Sequence, residues 1–356
     1  MDSLTQAVLG AAIQGSLLGR RQGRRGLVYG AALATLPDLD AIIQYADPVS
    51  AMTYHRGFSH SVFVLTGLAA VLTWLIRKRW PDAPYTGGRL FITLWLVLIT
   101  HAILDSFTIY GTQLFWPLPL TPESWSAIFI IDPVYTLPLL AAVVFAAVKG
   151  VGSKSRVVMA SALSFSSAYL AFGLWGRFHA EEQGRAALAS DGVAVSELRA
   201  VPTPFNTLVW RIIAKTPDGF YYEAITRLLD RGAPERVRQP RGPALAKAIA
   251  GDPLHERLRW LTADWLRYDI VDRHLVVSDL RMGIPGQYTF RFAMARCDAN
   301  DVLLPITPIR WENKIAGGDA TMTILRRAFS PSPPIPLADW TRALNIQSAS
   351  SCRSSS

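Results

Sequence analysis

The residues with chemistry to offer sit in four short runs in the first half of the chain. They are Pro37-Asp38-Leu39-Asp40, Tyr54-His55-Arg56-Gly57-Phe58-Ser59-His60-Ser61, His101-Ala102-Ile103-Leu104-Asp105 and Asp132-Pro133. Each lies within or at the end of an apolar segment, where ionisable groups are costly and by default mark a functional site. His101 and Asp105 are four apart, so on a helix they share a face and can offer a nitrogen and an oxygen to one ion. Asp38 and Asp40 would diverge by roughly 200° on a regular helix. Pro37 interrupts that helix, and a broken helix can turn both carboxylates towards one cavity. His55 and His60 flank Gly57, where a turn can bring them together, and Ser59 is then placed to cap the helix that follows. Imidazole with carboxylate and no thiolate favours Zn, Mn, Fe or Ni over a soft metal. The expected ligands are Asp38, Asp40, His60, His101 and Asp105, holding one or two divalent ions, Zn or Mn first. His55 or Asp132 would complete the shell or act as general base. Arg56, in a loop otherwise free of basic residues, could clamp a phosphate or carboxylate. Asp132-Pro133 also reads as a turn initiator. His179, His255 and His274 have no matching ligands beside them and read as ordinary polar residues.

The elements that must position these groups are apolar. The chain has 356 residues, is 50% hydrophobic and only 18% charged, and its mean hydropathy is positive, which leans towards a membrane protein. Residues 1–176 hold eight acids, Asp2, Asp38, Asp40, Asp47, Asp82, Asp105, Glu123 and Asp132. Half of these belong to the four runs, so they are not a solvated surface. Six apolar stretches follow one another, at 4–19, 27–45, 62–76, 90–107, 128–148 and 157–175. The net charge of +9 gathers beside them, in Arg20, Arg21, Arg24 and Arg25, then Arg77, Lys78 and Arg79. That is the positive-inside pattern; no nucleic-acid-binding motif is present and no nucleic-acid partner is expected. Alternating the stretches across a bilayer puts these two basic loops and a third, Lys149 to Arg156, inside and all seven His and Asp candidates at the outer face.

The expected fold is therefore a membrane all-α helical bundle of about five to six apolar segments over 1–176. A smaller extracytoplasmic α+β domain over 177–347 and a disordered Ser-rich tail, 348–356, follow it. In that domain, 207–214, 221–229, 274–280 and 288–295 read as strands, 244–249 and 254–266 as helical, and 331–336 as a linker. Asp279, Arg281 and Arg291 are its candidates for reaching an anionic substrate. Cys297 and Cys352 are too few and too far apart in sequence for a disulfide framework or a thiolate site. The N-terminus lacks a basic n-region, so no cleaved signal peptide is expected. Tyr45, Trp80, Trp116, Trp125 and Trp175, near segment ends, suit an interfacial belt.

Together these runs resemble a family of bacterial membrane-bound, metal-dependent hydrolases of the YdjM/YfhP type. The resemblance rests on Met1-Asp2-Ser3-Leu4-Thr5-Gln6, Leu36-Pro37-Asp38-Leu39-Asp40, the 54–61 run, His101-x-x-x-Asp105, Tyr110-Gly111-Thr112-Gln113 and Ile131-Asp132-Pro133-x-Tyr135. In the second half it extends to Pro202-x-Pro204-Phe205-Asn206 and 278–283. It implies an inner-membrane, metal-dependent hydrolase and supplies no substrate; a small molecule or membrane lipid is the expected partner from the residues. Some relatives carry His where this chain has Gln6, so Gln6 is not counted as a ligand. The residues alone point to hydrolysis of an anionic lipid or phosphoester at the outer face. Two other classes compete. A phosphohistidine-type lipid phosphatase lacks the basic motif that should precede its His. A non-enzymatic metal transporter or membrane anchor is the third, and transport is disfavoured by the nearly pure apolar inner halves of the segments.

Overall fold

The computed structural model describes residues 1–230, 232–312, 319–330, 334–347 and 352–354. The first half is helical: α1 (Ser3–Gln22), α2 (Arg25–Thr35), α3 (Pro48–Tyr54), α4 (Val62–Arg79), α5 (Gly87–Ser106), α6 (Pro133–Lys149) and α7 (Ser153–Ser190), with 3-10 turns at Pro37–Ile42 and Phe58–His60. Among the described residues α5 and α7 are long and apolar enough to cross a membrane. A third span exists if Pro48–His60 and Val62–Arg79, bent by 48°, count as one. That corrects the expected five to six, for local reasons. α1 has the length, but Thr5, Gln6 and Gln14 are buried along it and lower its hydropathy. α2 stops after 11 residues, because Pro37 cannot donate a backbone hydrogen bond and crowds the turn before it. α6 has 17 residues, short of the ~20 that a span needs.

The basic clusters have a second use. Arg24 donates to the carbonyls of Ala147 and Val148 at 2.6 and 2.9 Å, and Arg89 to that of Leu17 at 2.6 Å. Cations there meet the carbonyl ends of α6 and α1, where the helix dipole favours them.

α1 and α2 pack backbone to backbone. A Cβ added at Gly10 would collide with the Gly30 carbonyl and Ala34, and one at Gly30 with the Gly10 carbonyl. We expect Gly10→Ala or Gly30→Ala to cost about 1–3 kcal/mol, the usual penalty of overpacking, and to lower the melting temperature in detergent. Gly67→Ala, where nothing lies within 4 Å of the added carbon, should be neutral or slightly stabilising. Equal melting of all three variants would contradict this close approach.

By internal contacts the chain divides into two units, Met1–Ile43 with His55–Leu174, and Gln44–Tyr54 with Trp175–Ser356. The division falls within α7, and the short helix α3 belongs to the second unit.

The second unit is built on β-sheets. The first carries β1 (Glu197–Pro202), β2 (Val209–Lys215), β3 (Phe220–Arg227) and β4 (Glu235–Pro240), antiparallel and in chain order. After α8 (Pro253–Thr262) come β5 (Leu266–Val271), β6 (His274–Asp279), the hairpin β7 (Gly283–Ile284) and β8 (Gln287–Tyr288), β9 (Arg291–Cys297), β10 (Val302–Arg310) and β11 (Arg353–Ser354). The second sheet runs β11-β10-β9-β6-β5. Short helices Asp319–Phe329 and Leu337–Gln347 complete the unit. The expected strands at 207–214, 221–229, 274–280 and 288–295 appear with shifted ends. β1, β4, β5 and β10 were not foreseen; β4 and β10 are largely polar or proline-interrupted.

The interior of this unit is unusually charged. Arg267 donates to Asp269 at 2.8 to 3.0 Å and to the Tyr221 hydroxyl at 3.1 Å, and that hydroxyl meets the Tyr288 hydroxyl at 2.6 Å. Burial pushes the Tyr221 phenol up to about 12. Arg281 pairs with Asp279 at 2.8 Å and reaches the Leu261 carbonyl at 3.0 Å. Arg291 donates to Ser278 at 3.1 Å. Asp279, Arg281 and Arg291 are all buried, so these three are interior groups and not the surface expected to meet a substrate.

Cys297 and Cys352, set aside by their spacing, are joined by a disulfide with Cα atoms 6.1 Å apart. Part of the tail expected to be disordered is thus tied down, with Arg353–Ser354 parallel to β10 at Val302 and Leu303. Residues 348–351 and 355–356 of that tail, and 331–333 of the expected linker, lie outside the described residues.

Candidate metal centre

Four of the expected ligands converge in the first unit. One donor atom each from Asp38, His60, His101 and Asp105 lies within 4.8 Å of all the others. His101 and Asp105 come from the last turns of α5, and their i,i+4 spacing sets Nε2 and Oδ2 3.5 Å apart. His60 ends the 3-10 turn before α4, with Nε2 3.1 Å from that of His101 and 3.1 Å from Asp105 Oδ2. Asp38 Oδ1 is 3.5 Å from both Nε2 atoms. It reaches them because the chain leaves α2 at Pro37 and winds as a 3-10 turn.

The hydrogen bonds around the cluster assign its protons. His101 Nδ1 lies 2.6 Å from the Ala34 carbonyl, which can only accept, so Nδ1 carries the hydrogen. The Ser59 hydroxyl donates to Asp40 Oδ2 at 2.7 Å and therefore accepts from His60 Nδ1 at 2.9 Å. In the neutral rings both Nε2 atoms are bare lone pairs. In that form two imidazole nitrogens and two carboxylate oxygens face one another. The Arg56 guanidinium and the Met1 amine offset part of the charge of Asp105 from outside the group. The outer partners that hold the rings are of the kind that orient histidines at metal sites. The group fits a divalent ion of the imidazole-and-carboxylate type.

Asp40 lies behind the four and not among them. In a 3-10 turn residues two apart diverge by about 240°, so Asp38 and Asp40 look different ways. Asp40 accepts from His55 Nδ1 at 2.9 Å, from the Arg56 amide at 3.0 Å and from Ser59 at 2.7 Å. His55, one quarter exposed, is held by Asp40 with its Nε2 free to accept a proton, and its ring centre is 6.1 Å from that of His60. Arg56 is buried, with Nε 3.2 Å from Asp105 Oδ2, a hydrogen bond of 3.1 Å to Thr108 and its guanidinium 5.0 Å from the centre of the Tyr110 ring. Its φ of +60° is rare for a residue with a side chain and is typical of functional turns. Asp132 sits elsewhere: it caps α6, accepting from the amides of Val134 and Tyr135 at 3.0 and 3.3 Å and from the Tyr169 hydroxyl at 3.0 Å. Ser59 does not cap α4; Ser61 does, accepting from Phe63 and Val64.

Sequence reasoning discounted Gln6 as a ligand and read Ser59 as a helix cap, and so missed their contacts at the cluster. Gln6 is fully buried and donates to Asp105 Oδ1 at 3.2 Å and to the His101 carbonyl at 3.3 Å. The Met1 amine also pairs with Asp105. A polar residue in the first turn of an otherwise apolar helix was the available signal for Gln6. Ser59 had none, because its role depends on where Asp40 turns.

A family model described as "YdjM inner membrane protein" matches residues 1–180. The chain is 28% identical over 155 residues to "Uncharacterized protein YfhP" of Bacillus subtilis (strain 168), covering 40% of this chain and 45% of that one. It is 34% identical over 104 residues to "Inner membrane protein YbcI" of Escherichia coli (strain K12), covering 29% and 58%. It thus spans about half the length of these curated relatives. No solved structure matches. All four donors of the cluster fall inside the matched region.

Proposed function

This chain belongs to the YdjM inner membrane protein family, and from that premise we propose that it is a membrane-bound, metal-dependent hydrolase. Its substrate would be an anionic lipid or phosphoester at the outer face of the inner membrane, and its ion Zn or Mn. The observation that carries this reading is the convergence of donor atoms from Asp38, His60, His101 and Asp105 within 4.8 Å of one another. When bound, a divalent cation supplies Lewis acidity to a carbonyl or phosphoryl oxygen and a lowered pKa to water. The chain's own residues supply the rest. Asp40 fixes the His55 tautomer, so His55 can take up a proton at Nε2 as general base. Arg56 holds Asp105 in place and adds positive charge for an anionic group. The lipid half of the reading is supported by an apolar cavity of about 460 Å³ lined by Leu9, Ile13, Leu104, Tyr135, Leu163 and Leu170. Its α1 wall continues one turn on to Gln6, which touches Asp105. The outer location is supported by the Cys297–Cys352 disulfide, since such bonds form and persist in oxidising compartments.

The test is turnover. Protein purified in detergent and loaded with Zn or Mn would be offered phosphatidic acid, phosphatidylglycerol and soluble phosphomonoesters and diesters. We expect release of phosphate, headgroup or fatty acid from at least one, abolished by chelator and restored by the ion. His55→Gln should lower kcat by about 10²–10⁴-fold, the usual worth of a general base, while leaving bound metal in place. Turnover that ignores chelation, or none on any substrate in metal-loaded protein, would overturn the proposal.

A further inference from the structure

The chain leaves the first unit at Ile43 and re-enters it at His55. Both flanks of this excursion are site residues: Asp40 stands before it, and His55 and Arg56 follow it directly. Within the second unit the excursion is clamped at both ends. Tyr45, near its start, stacks on Tyr54 at its end, with ring centres 5.3 Å apart and planes 8° from parallel. The Arg257 guanidinium, from α8, lies 3.6 Å from the centre of the Tyr54 ring and 5.6 Å from that of Trp260. The same group donates to the Thr53 hydroxyl at 2.6 Å and to the Thr53 carbonyl at 3.4 Å. Between the ends, Asp47 caps α3 through Ser50, while Val49, Met52 and Thr53 are buried.

We propose that Arg257 is a positioning residue for the metal centre, acting through Tyr54 and Thr53 on the arm His55–His60. The reasoning is mechanical. Asp40 is the hub that orients His60 through Ser59 and is held in turn by His55 and the Arg56 amide. An arm whose preceding residue is pinned keeps those bonds in register; an arm that is loose at Tyr54 does not. A stacked, bidentate guanidinium supplies both direction and grip, which a lysine reproduces only in part. The functional consequence rests on the metal-centre reading above; the clamp itself does not.

The test uses full-length protein in detergent and two readouts. Hydrogen exchange over residues 53–62 reports the clamp without reference to metal. Arg257→Ala and Tyr54→Leu should speed exchange there at least tenfold, Tyr54→Phe should not, and Arg257→Lys should fall between. Arg259→Ala on the same helix, where the wild-type side chain pairs with Asp264 and Glu256, is the control and should match wild type. Zn affinity by competition with a chromogenic chelator reports the consequence. Arg257→Ala should weaken it about tenfold, the low end for loss of an outer partner, with partial rescue in Arg257→Lys. Unchanged exchange in a folded Arg257→Ala overturns the clamp. Faster exchange with unchanged affinity overturns the positioning role. A wild type that binds no metal sinks the metal-centre reading instead, and the exchange result still decides the clamp.

Discussion

His101→Ala is expected to leave a folded protein that no longer holds its ion. The wild type, reloaded with Zn or Mn, should carry one ion per chain by mass spectrometry. One is expected because the described residues form a single group of four donors. Removing His101 Nε2 takes away a ligand atom that faces the other three at 3.1 to 3.5 Å. Loss of outer partners at metal sites typically weakens binding 10–100-fold, and loss of a ligand should exceed that. We expect a fall of more than ~100-fold, or about 2.8 kcal/mol at about 1.4 kcal/mol per decade. Asp40→Asn should lie within the 10–100-fold range, because Asp40 orients the His60 ring through Ser59. Asp132→Asn should bind as wild type, since Asp132 caps α6. Equal affinities for His101→Ala and wild type would refute the site, and an effect of Asp132 as large as that of His101 would mean the ligand set is misassigned.

The second large effect is on stability and lies in the second unit. Arg267 is fully buried and holds Asp269 with two nitrogens. Breaking a buried pair from one side costs about 3–5 kcal/mol, because the remaining charge loses its counter-charge where water cannot replace it. Arg267→Met should therefore lower the melting transition of this unit by roughly 10 °C, at about 2–4 °C per kcal/mol for a domain of this size. The double variant Arg267→Met/Asp269→Leu should recover most of the loss, since swapping both charges for apolar groups is often neutral. A single variant that melts with the wild type would show that the pair is solvated. A double variant worse than the single would show that the pair stabilises the unit outright.

What the sequence revealed and what it hid divide along physical lines. The His101-x-x-x-Asp105 spacing was readable because α5 is regular over its whole length and i,i+4 geometry does not depend on the rest of the fold. His60 and Asp38 were readable as site residues by their cost in an apolar setting. Asp40 was misplaced because the choice between a kinked α-helix and a 3-10 turn after Pro37 decides which way it looks, and composition does not make that choice. The number of spans was overestimated because apolar stretches were counted by content. Helix length depends on where Pro37 and the polar positions of α1 interrupt them. β4 and β10 escaped notice because their alternation is broken by Arg and Pro. The disulfide escaped because a separation of 55 residues says nothing about distance across a sheet.

The grip of Arg257 on Thr53 joins residues 204 apart in sequence, and that separation is also a delay. A chain made at roughly 5–20 residues per second finishes every ligand of the cluster well before Arg257 leaves the ribosome, by about 8–30 s for the last of them, Asp105. During that interval the four donors can gather while the arm ahead of His60 is still untethered. Synthesis thus delivers the four donors before the residue proposed to clamp the arm that carries His60.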